Sequence, residues 1–373
     1  MGTAKCQDVI SLMEEIAPRD LAEDWDNVGL LIGDRNSVIK KIMVCLDLPR
    51  WVLDEAIENK IDMIITHHPV IFSSMKKINT DSSLGRKIIR LLENNISVYS
   101  SHTNMDMAKG GLNDIFAKQL GFDETTIIQP LYAGKLFKLV VYVPQGTERK
   151  VLDGLSKAGA GFIGNYSSCS FRSKGIGTFK PENGSTPFIG TKGVLEEVNE
   201  YRLETIVSEN QIDNIVRELK KVHPYEEPAY DILELENKMD TVGIGRLGVL
   251  KDTTTLKSYV EFVKNALGVN SIRYAGNPNS IIKKVALING SGNKYIKQAK
   301  STGADVLITG DLQYHQILDA LEDGLNIIDA GHFETEKIII KEIANYLKAV
   351  TDKLGYEIEV IESKTNINPV FSI

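Results

Sequence analysis

Of the six histidines in the chain, four (His67, His68, His102 and His332) fall just after short apolar runs that read as buried strands. Ligand sites of open α/β folds gather beyond strand ends, so this placement is the main chemical signal in the sequence. Carboxylates accompany two of them: Asp106 lies four residues after His102, and Glu336 four residues after His332. Residues four apart share a helix face, which lets His332 and Glu336 reach one centre. His67 and His68 precede Pro69, which disfavours helix at His68 and stiffens an exposed turn. Neighbouring side chains on extended backbone point apart, so these two imidazoles suit two metal ions better than one.

A carboxylate has two oxygens, and Glu336 can bridge ions at the roughly 3.5–4 Å separation of two-metal hydrolases. Three imidazoles (His67, His68, His332) and two carboxylates (Asp106, Glu336) leave positions on two ions open to water, as catalytic sites require. Nitrogen and oxygen donors without thiolate favour Zn, Fe, Mn, Co or Ni and count against calcium. In this assignment His68, Asp106 and Glu336 serve one ion. His102 stands behind the ligands, orienting Asp106 or a bound water.

The elements that must position these groups follow from hydrophobic rhythm. From about residue 38, strands and helices alternate, the signature of crossover units on a largely parallel sheet. Strands are expected at 41–48, 61–66 and 96–100, with helices at 50–59, 84–94 and 111–120. The rhythm returns with strands at 285–289, 305–309 and 326–329, helices at 294–302 and 313–322, and a long helix beyond 334. An offset of 243 aligns Asp62-Met63-Ile64-Ile65-Thr66 with Asp305-Val306-Leu307-Ile308-Thr309, so the outer segments read as an internal duplication whose halves meet around a shared site. Between them, strands at 136–143, 169–179, 202–208 and 229–235 and helices at 148–158 and 211–222 give the order β-α-β-β-α-β of a ferredoxin-like domain. The expected organisation is α/β, with 1–130 and 238–373 forming one metal-binding domain and 131–237 inserted into it.

Weaker motifs stand beside these. Gly290-Ser291-Gly292 follows a strand and opens a helix, where free amides can cradle a phosphate. His223, in His223-Pro224-Tyr225-Glu226-Glu227, reads as a structural turn residue, and His315 as packing or a substrate contact. Asp26 and Asn27, in Trp25-Asp26-Asn27-Val28-Gly29-Leu30, read as turn residues. A glycine-rich stretch covers 175–193.

Over 373 residues, Lys plus Arg total 43 against 50 for Asp plus Glu, a balance of 43 − 50 = −7 that argues against nucleic acid as a partner. The lysines at 283, 284, 294, 297 and 300 read as a solvated helix face. The three cysteines, Cys6, Cys45 and Cys169, are too few and scattered for a disulfide framework, which suits a reducing, cytoplasmic setting. No apolar run approaches the roughly 18 residues of a membrane span.

Four motifs in order, Trp25-Asp26-Asn27-Val28-Gly29-Leu30, Thr66-His67-His68-Pro69, Ser101-His102-Thr103-Asn104-Met105-Asp106 and Gly331-His332-Phe333-Glu334-Thr335-Glu336, resemble the Nif-three-like family, also catalogued as GTP cyclohydrolase 1 type 2 homologs. The middle segment, with His223-Pro224-Tyr225-Glu226-Glu227-Pro228-Ala229, looks like the PII/CutA-like domain of longer bacterial members. The resemblance implies a toroidal homohexamer whose dinuclear centre faces an internal cavity, with ligands His67, His68, Asp106, His332 and a bridging Glu336. It also implies hydrolytic opening of the GTP purine ring. The leading expectation is a metal-dependent hydrolase acting on a nucleotide or related small molecule, with Glu336 positioning water. The alternative is a hexameric regulatory or scaffold protein whose insert senses a small ligand.

Overall fold

The computed structural model describes residues 2–132, 135–164, 166–238 and 241–370. The chain separates into two compact units, Met1–Leu131 with Val242–Ile373, and Tyr132–Thr241.

In the larger unit, strands Lys41–Cys45, Met63–Thr66 and Ser97–Ser100 run parallel and adjacent. Every residue of the latter two is buried, as befits parallel strands covered on both faces. Helices Arg50–Glu58 and Ser83–Glu93 supply the crossovers, the second capped by Ser82 Oγ, which accepts the Gly85 N–H at 2.9 Å. Glu359–Glu362 extends this sheet in parallel, and Gly29–Ile32 closes it antiparallel.

A second sheet repeats the plan, with Ile281–Ser291, Val306–Gly310 and Asn326–Asp329 parallel and adjacent. The copies share a detail below the level of topology. Asp62 Oδ2 accepts the backbone N–H groups of Lys40 and Lys41, at 2.8 Å each, and Asp305 Oδ2 accepts those of Lys283 and Lys284, also at 2.8 Å each. Both aspartates thus clamp the start of the neighbouring strand, at the same offset of 243 (62 + 243 = 305).

Strands Thr125–Tyr132 and Thr241–Thr255 and helix Leu256–Leu267 have no counterpart in the pattern-based expectation. Thr241–Thr255 carries several glycines, which lower strand propensity. At Gly243 a Cβ would come within 2.1 Å of the Gln129 carbonyl, so glycine there permits a close backbone approach. The expected long helix beyond 334 is two helices, His332–Glu336 and Ile338–Leu354.

The smaller unit runs Lys135–Pro144, Glu148–Lys157, Ser170–Phe179, Glu196–Ser208, Ile212–Val222, Tyr230–Lys238, alternating β-α-β-β-α-β. Its antiparallel sheet places Lys135–Pro144 and Glu196–Ser208 in the centre, with Tyr230–Lys238 and Ser170–Phe179 at the edges. Val141, Val143 and Leu203 meet Leu155, Ile215 and Leu219 of the helices in one core. The third strand starts earlier than position 202 because pairing with Ser170–Phe179 extends it through the polar Glu196, Glu197, Asn199 and Glu200. Among the described residues, no helix is long and apolar enough to cross a membrane.

Candidate metal centre

His67 and His68 leave the end of strand Met63–Thr66, and Asp106 sits on the short helix Thr103–Met107. Helix His332–Glu336 follows Gly331, whose φ of +86° turns the chain sharply after strand Asn326–Asp329. These elements bring the five expected ligands together. Glu336 lies between two sets of partners: its Oε2 is 3.1 Å from both His68 Nε2 and His332 Nε2, while its Oε1 is 3.8 Å from His67 Nε2. Asp106 Oδ1 is 3.7 Å from the same His67 nitrogen. The two nearest imidazoles, His68 and His332, bring their Nε2 atoms within 3.2 Å.

The expected grouping of His68 with Asp106 is therefore corrected: His68 stands with His332, and His67 with Asp106. His102 is corrected as well. Its partner is Asp26 rather than Asp106, and it offers a ring nitrogen within 4.8 Å of those of His67 and His68. Sequence spacing cannot show this, because Asp26 reaches His102 across 76 residues.

Hydrogen bonds at the far side of each ring decide where its lone pair points. His67 Nδ1 donates to the Ser101 carbonyl at 2.9 Å, which leaves Nε2 as the lone-pair atom in the neutral ring. His68 Nδ1 is 2.8 Å from Asp47 Oδ1, His332 Nδ1 2.8 Å from Asp311 Oδ2, and His102 Nδ1 2.9 Å from Asp26 Oδ1. A carboxylate or carbonyl behind an imidazole is how ligand histidines are oriented. Asp47 and Asp311 both lie 21 residues before the histidine they hold, a repeated spacing that sequence inspection could have found. Asn289 is the other residue sequence reasoning missed. Its Nδ2 donates to Asp106 Oδ1 at 2.8 Å and to Glu336 Oε1 at 3.2 Å, holding the two carboxylates together.

With these protons committed outward, lone pairs face carboxylate oxygens across the centre. His67 Nε2 and Glu336 Oε2 are buried without a directed hydrogen bond among the described residues. Metal–nitrogen and metal–oxygen bonds near 2.1 Å place two tetrahedral ligands roughly 3.4 Å apart, and the observed 3.1–3.8 Å contacts bracket that value. The donor set fits divalent cations, and without them protons fill the role. Burial opposes a charge on His68, but Asp47 and Glu336 raise its pKa to about 10. His332 rises to about 9, burial again being outweighed by Glu336 and Asp311. Burial also opposes ionisation of Glu336, yet the imidazoles pressed against it hold its carboxyl well below the usual range. Asp106 is pushed up by burial, with His67 pulling against it and the Glu336 charge adding to it.

The Trp25 motif borders this centre. Asp26 is the orienting carboxylate of His102 rather than a turn residue, and burial is outweighed by bonds from His102 and Thr103 that hold its pKa at about 2. Asn27 Nδ2 donates to the Ile71 carbonyl at 2.6 Å, tying down the segment that carries Phe72. The Trp25 ring lies 5.7 Å from Phe72 and 6.0 Å from His102, and Lys294 Nζ sits 4.8 Å over it. Trp25 and Phe72 are large aromatic rings left exposed beside a buried polar cluster.

The glycine motif is not an anion cradle. The Gly290 N–H goes to Thr335 Oγ1 at 2.9 Å and the Gly292 N–H to Thr309 Oγ1 at 2.8 Å. Gly290 is there for space, since a Cβ would come within 2.1 Å of Glu336 Oε1. His223 bonds through both ring nitrogens within the smaller unit, and His315 is exposed on helix Tyr314–Glu322, outside the cluster.

Comparison with known proteins identifies the family of the chain. Residues 4–369 match the family Duf34/NIF3 (NGG1p interacting factor 3). A Bacillus subtilis protein named GTP cyclohydrolase 1 type 2 homolog is 46% identical over 363 residues, 97% of each chain. The crystal structure of a Bacillus cereus protein related to NIF3 superposes with a TM-score of 0.88 at 40% identity, covering 100% of both chains. That of a Staphylococcus aureus protein reaches 0.78 at 30% identity, again over 100% of both. The chain belongs to the Duf34/NIF3 family.

Proposed function

We propose that this protein is a metal-dependent hydrolase acting on a nucleotide or a related small molecule. The observation that carries it is Glu336, whose Oε2 faces the His68 and His332 imidazoles with no directed hydrogen bond, while its Oε1 faces His67. His67 and Asp106 with Oε1 would hold one divalent cation, and His68 and His332 with Oε2 a second; Zn, Fe, Mn, Co and Ni all suit these donors. Bound there, such cations supply a lowered pKa for water and stabilisation of charge developing on a substrate oxygen.

The chain's own residues do the rest. His102, with Nδ1–H held by Asp26, has Nε2 free to take a proton from the attacking water and return it to the leaving group. Trp25 and Phe72 offer a surface for a flat base, and Lys294 stands ready for an anionic group. Relatives named GTP cyclohydrolase 1 type 2 homolog point to purine ring opening as the first reaction to try, with one water adding at C8 and breaking one C8–N bond to leave a formamide, and a second water breaking the other to release formate. We further propose a cytoplasmic homohexamer whose inserted unit is PII/CutA-like and whose partner is a small molecule rather than nucleic acid or a membrane.

The test is turnover of GTP and of a panel of nucleotides and phosphate esters by metal-loaded protein, formate and phosphate being measured. Turnover by the wild type that is lost in Glu336→Ala supports the reading, and equal turnover by both removes chemistry from this centre. The alternative, a regulatory protein whose inserted unit takes up a small ligand, is favoured by a cavity in that unit.

A further inference from the structure

The smaller unit uses one sheet face for its core and leaves the other to a cavity of about 560 Å3. Residues alternate along a strand, so Arg202 and Glu200 point away from the Leu203 core, beside Tyr142 and the bare backbone of Gly175 and Gly177. Segments 179–189 and 225–229 complete the walls.

We propose that this cavity binds an organic cation, an ammonium or amidinium group carried on an apolar or aromatic body. Three aromatic rings gather on one side: Tyr225 is 5.6 Å from Phe179 and 6.3 Å from Phe188, centre to centre. Ring faces attract cations, most strongly where water is excluded. Among these rings stands a carboxylate that is almost fully withdrawn from solvent, Glu200, at 7% exposure. The Tyr225 hydroxyl donates to its Oε1 at 2.9 Å, while Oε2 takes no hydrogen bond among the described residues. Oε2 occupies the space above Gly177, where a Cβ would lie 2.1 Å away, so glycine is what admits the carboxylate. A buried carboxylate calls for a cationic partner.

The charge around it does not supply one. Glu200, Glu226 and Glu227 line the cavity against Lys174 and Arg202, and Arg202 already has Glu204 at 3.3 Å. His223 braces the walls rather than filling the space. Its Nδ1 accepts the Tyr225 N–H at 3.1 Å, so Nε2–H donates to the Tyr142 carbonyl at 3.1 Å, and the ring is a neutral strut between two lining residues. Burial lowers its pKa, which keeps it neutral. All lining residues belong to the smaller unit, so this proposal does not rest on the metal-centre reading.

The experiment is isothermal titration of the full chain with benzyltrimethylammonium and with benzoate, which carries the opposite charge on a similar body. The expected result is saturable binding of the cation, with benzoate at least tenfold weaker. Glu200→Gln keeps an acceptor for the Tyr225 hydroxyl but removes the charge, and weakens the cation at least tenfold. Phe188→Ala, at a ring 58% exposed whose loss does not disturb the core, weakens it several-fold. Protein stripped by a chelator binds the cation unchanged, which separates this site from the metal centre. Failure of the cation to bind, equal affinity for benzoate, an unaltered affinity in both variants, or loss of binding on chelation would each overturn the proposal.

Discussion

The two copies of the duplicated strand set carry the same scaffold and different chemistry. At the offset of 243, His67 and His68 correspond to Gly310 and Asp311 (67 + 243 = 310; 68 + 243 = 311). In the first copy the middle strand ends in two imidazoles that enter the centre themselves. In the second, its counterpart ends in bare backbone and a carboxylate. A Cβ on Gly310 would lie 2.5 Å from the His332 backbone nitrogen, so glycine makes room for the chain to bring His332 in from the next strand, and Asp311 then holds its ring at 2.8 Å. The first copy thus provides two imidazoles from the end of its middle strand, whereas the second provides its imidazole from the next strand; in both, the carboxylate behind the ring, Asp47 or Asp311, comes from the end of the preceding strand. The two strand sets share a pairing plan, while the residues at their strand ends differ.

The harshest challenge to this division is at Glu336, the group that faces ligands from both copies. Glu336→Ala should lower bound divalent metal at least tenfold by elemental analysis. Asp106→Ala, which removes a partner of His67 alone, should lower it by about half. Equal losses in the two variants would mean that His67 and Asp106 do not hold an ion of their own, apart from the one that His68 and His332 share.

Next comes the proton content of the metal-free centre. The folded-state pKa values of His68 (about 10) and His332 (about 9) lie above the ordinary 6.5, so their stabilising contribution is complete below about 6.5 and disappears as pH rises through 9 to 10. Chelator-treated protein should therefore lose thermal stability between pH 7 and 10, by several degrees in calorimetry. Metal-loaded protein should hold its stability there and lose metal on acidification instead, because metal binding requires deprotonated ligands. A metal-free midpoint that stays flat from pH 7 to 10 would show that protons do not bridge the two copies.

How much of this was legible in the sequence depended on whether the signal was local. The convergence of the five candidate ligands was, since His67, His68 and His332 lie within three residues of a strand end marked by its own apolar run, and Asp106 and Glu336 four residues after His102 and His332. The parallel strands were legible for the same reason, and Asn326–Asp329 was expected at the bounds it has. The identity of neighbours around the centre was not. Asp26 meets His102, and Asn289 meets Asp106, across 76 and 183 residues, and no spacing rule carries over such distances. Thr241–Thr255 escaped because its glycines serve close packing against other strands, a tertiary demand that overrides local propensity. The function suggested for Gly290 failed for a related reason: its freedom from a side chain serves Glu336.

A milder probe addresses the carboxylates behind the rings. Asp47→Asn and Asp311→Asn each keep an oxygen to accept the Nδ1 proton but lose the charge that makes the imidazole a better donor to metal. Both should weaken metal affinity, each by about ten- to a hundredfold, the usual cost of removing such support. If the copies have converged on equivalent ligands, the two factors agree, and competition with a metal-sensitive dye measures them. A change in only one would show that His68 and His332 are not interchangeable partners of Glu336.

The smallest effect belongs to the feature the copies kept unchanged. Asp62 and Asp305 each clamp two backbone N–H groups at 2.8 Å, and neither reaches the metal centre. Replacing either by Asn leaves a neutral acceptor, which halves the strength of a charge-assisted bond rather than abolishing it. Each substitution should cost about 1 kcal/mol of stability by denaturant titration, with metal content unchanged. Because the two clamps sit on different sheets, the double variant should cost the sum of the two. Equal single losses that add would show the scaffold still behaving as two copies, whatever the ligands have become. Unequal losses would place the divergence in the strands themselves, before any side chain reaches the metal.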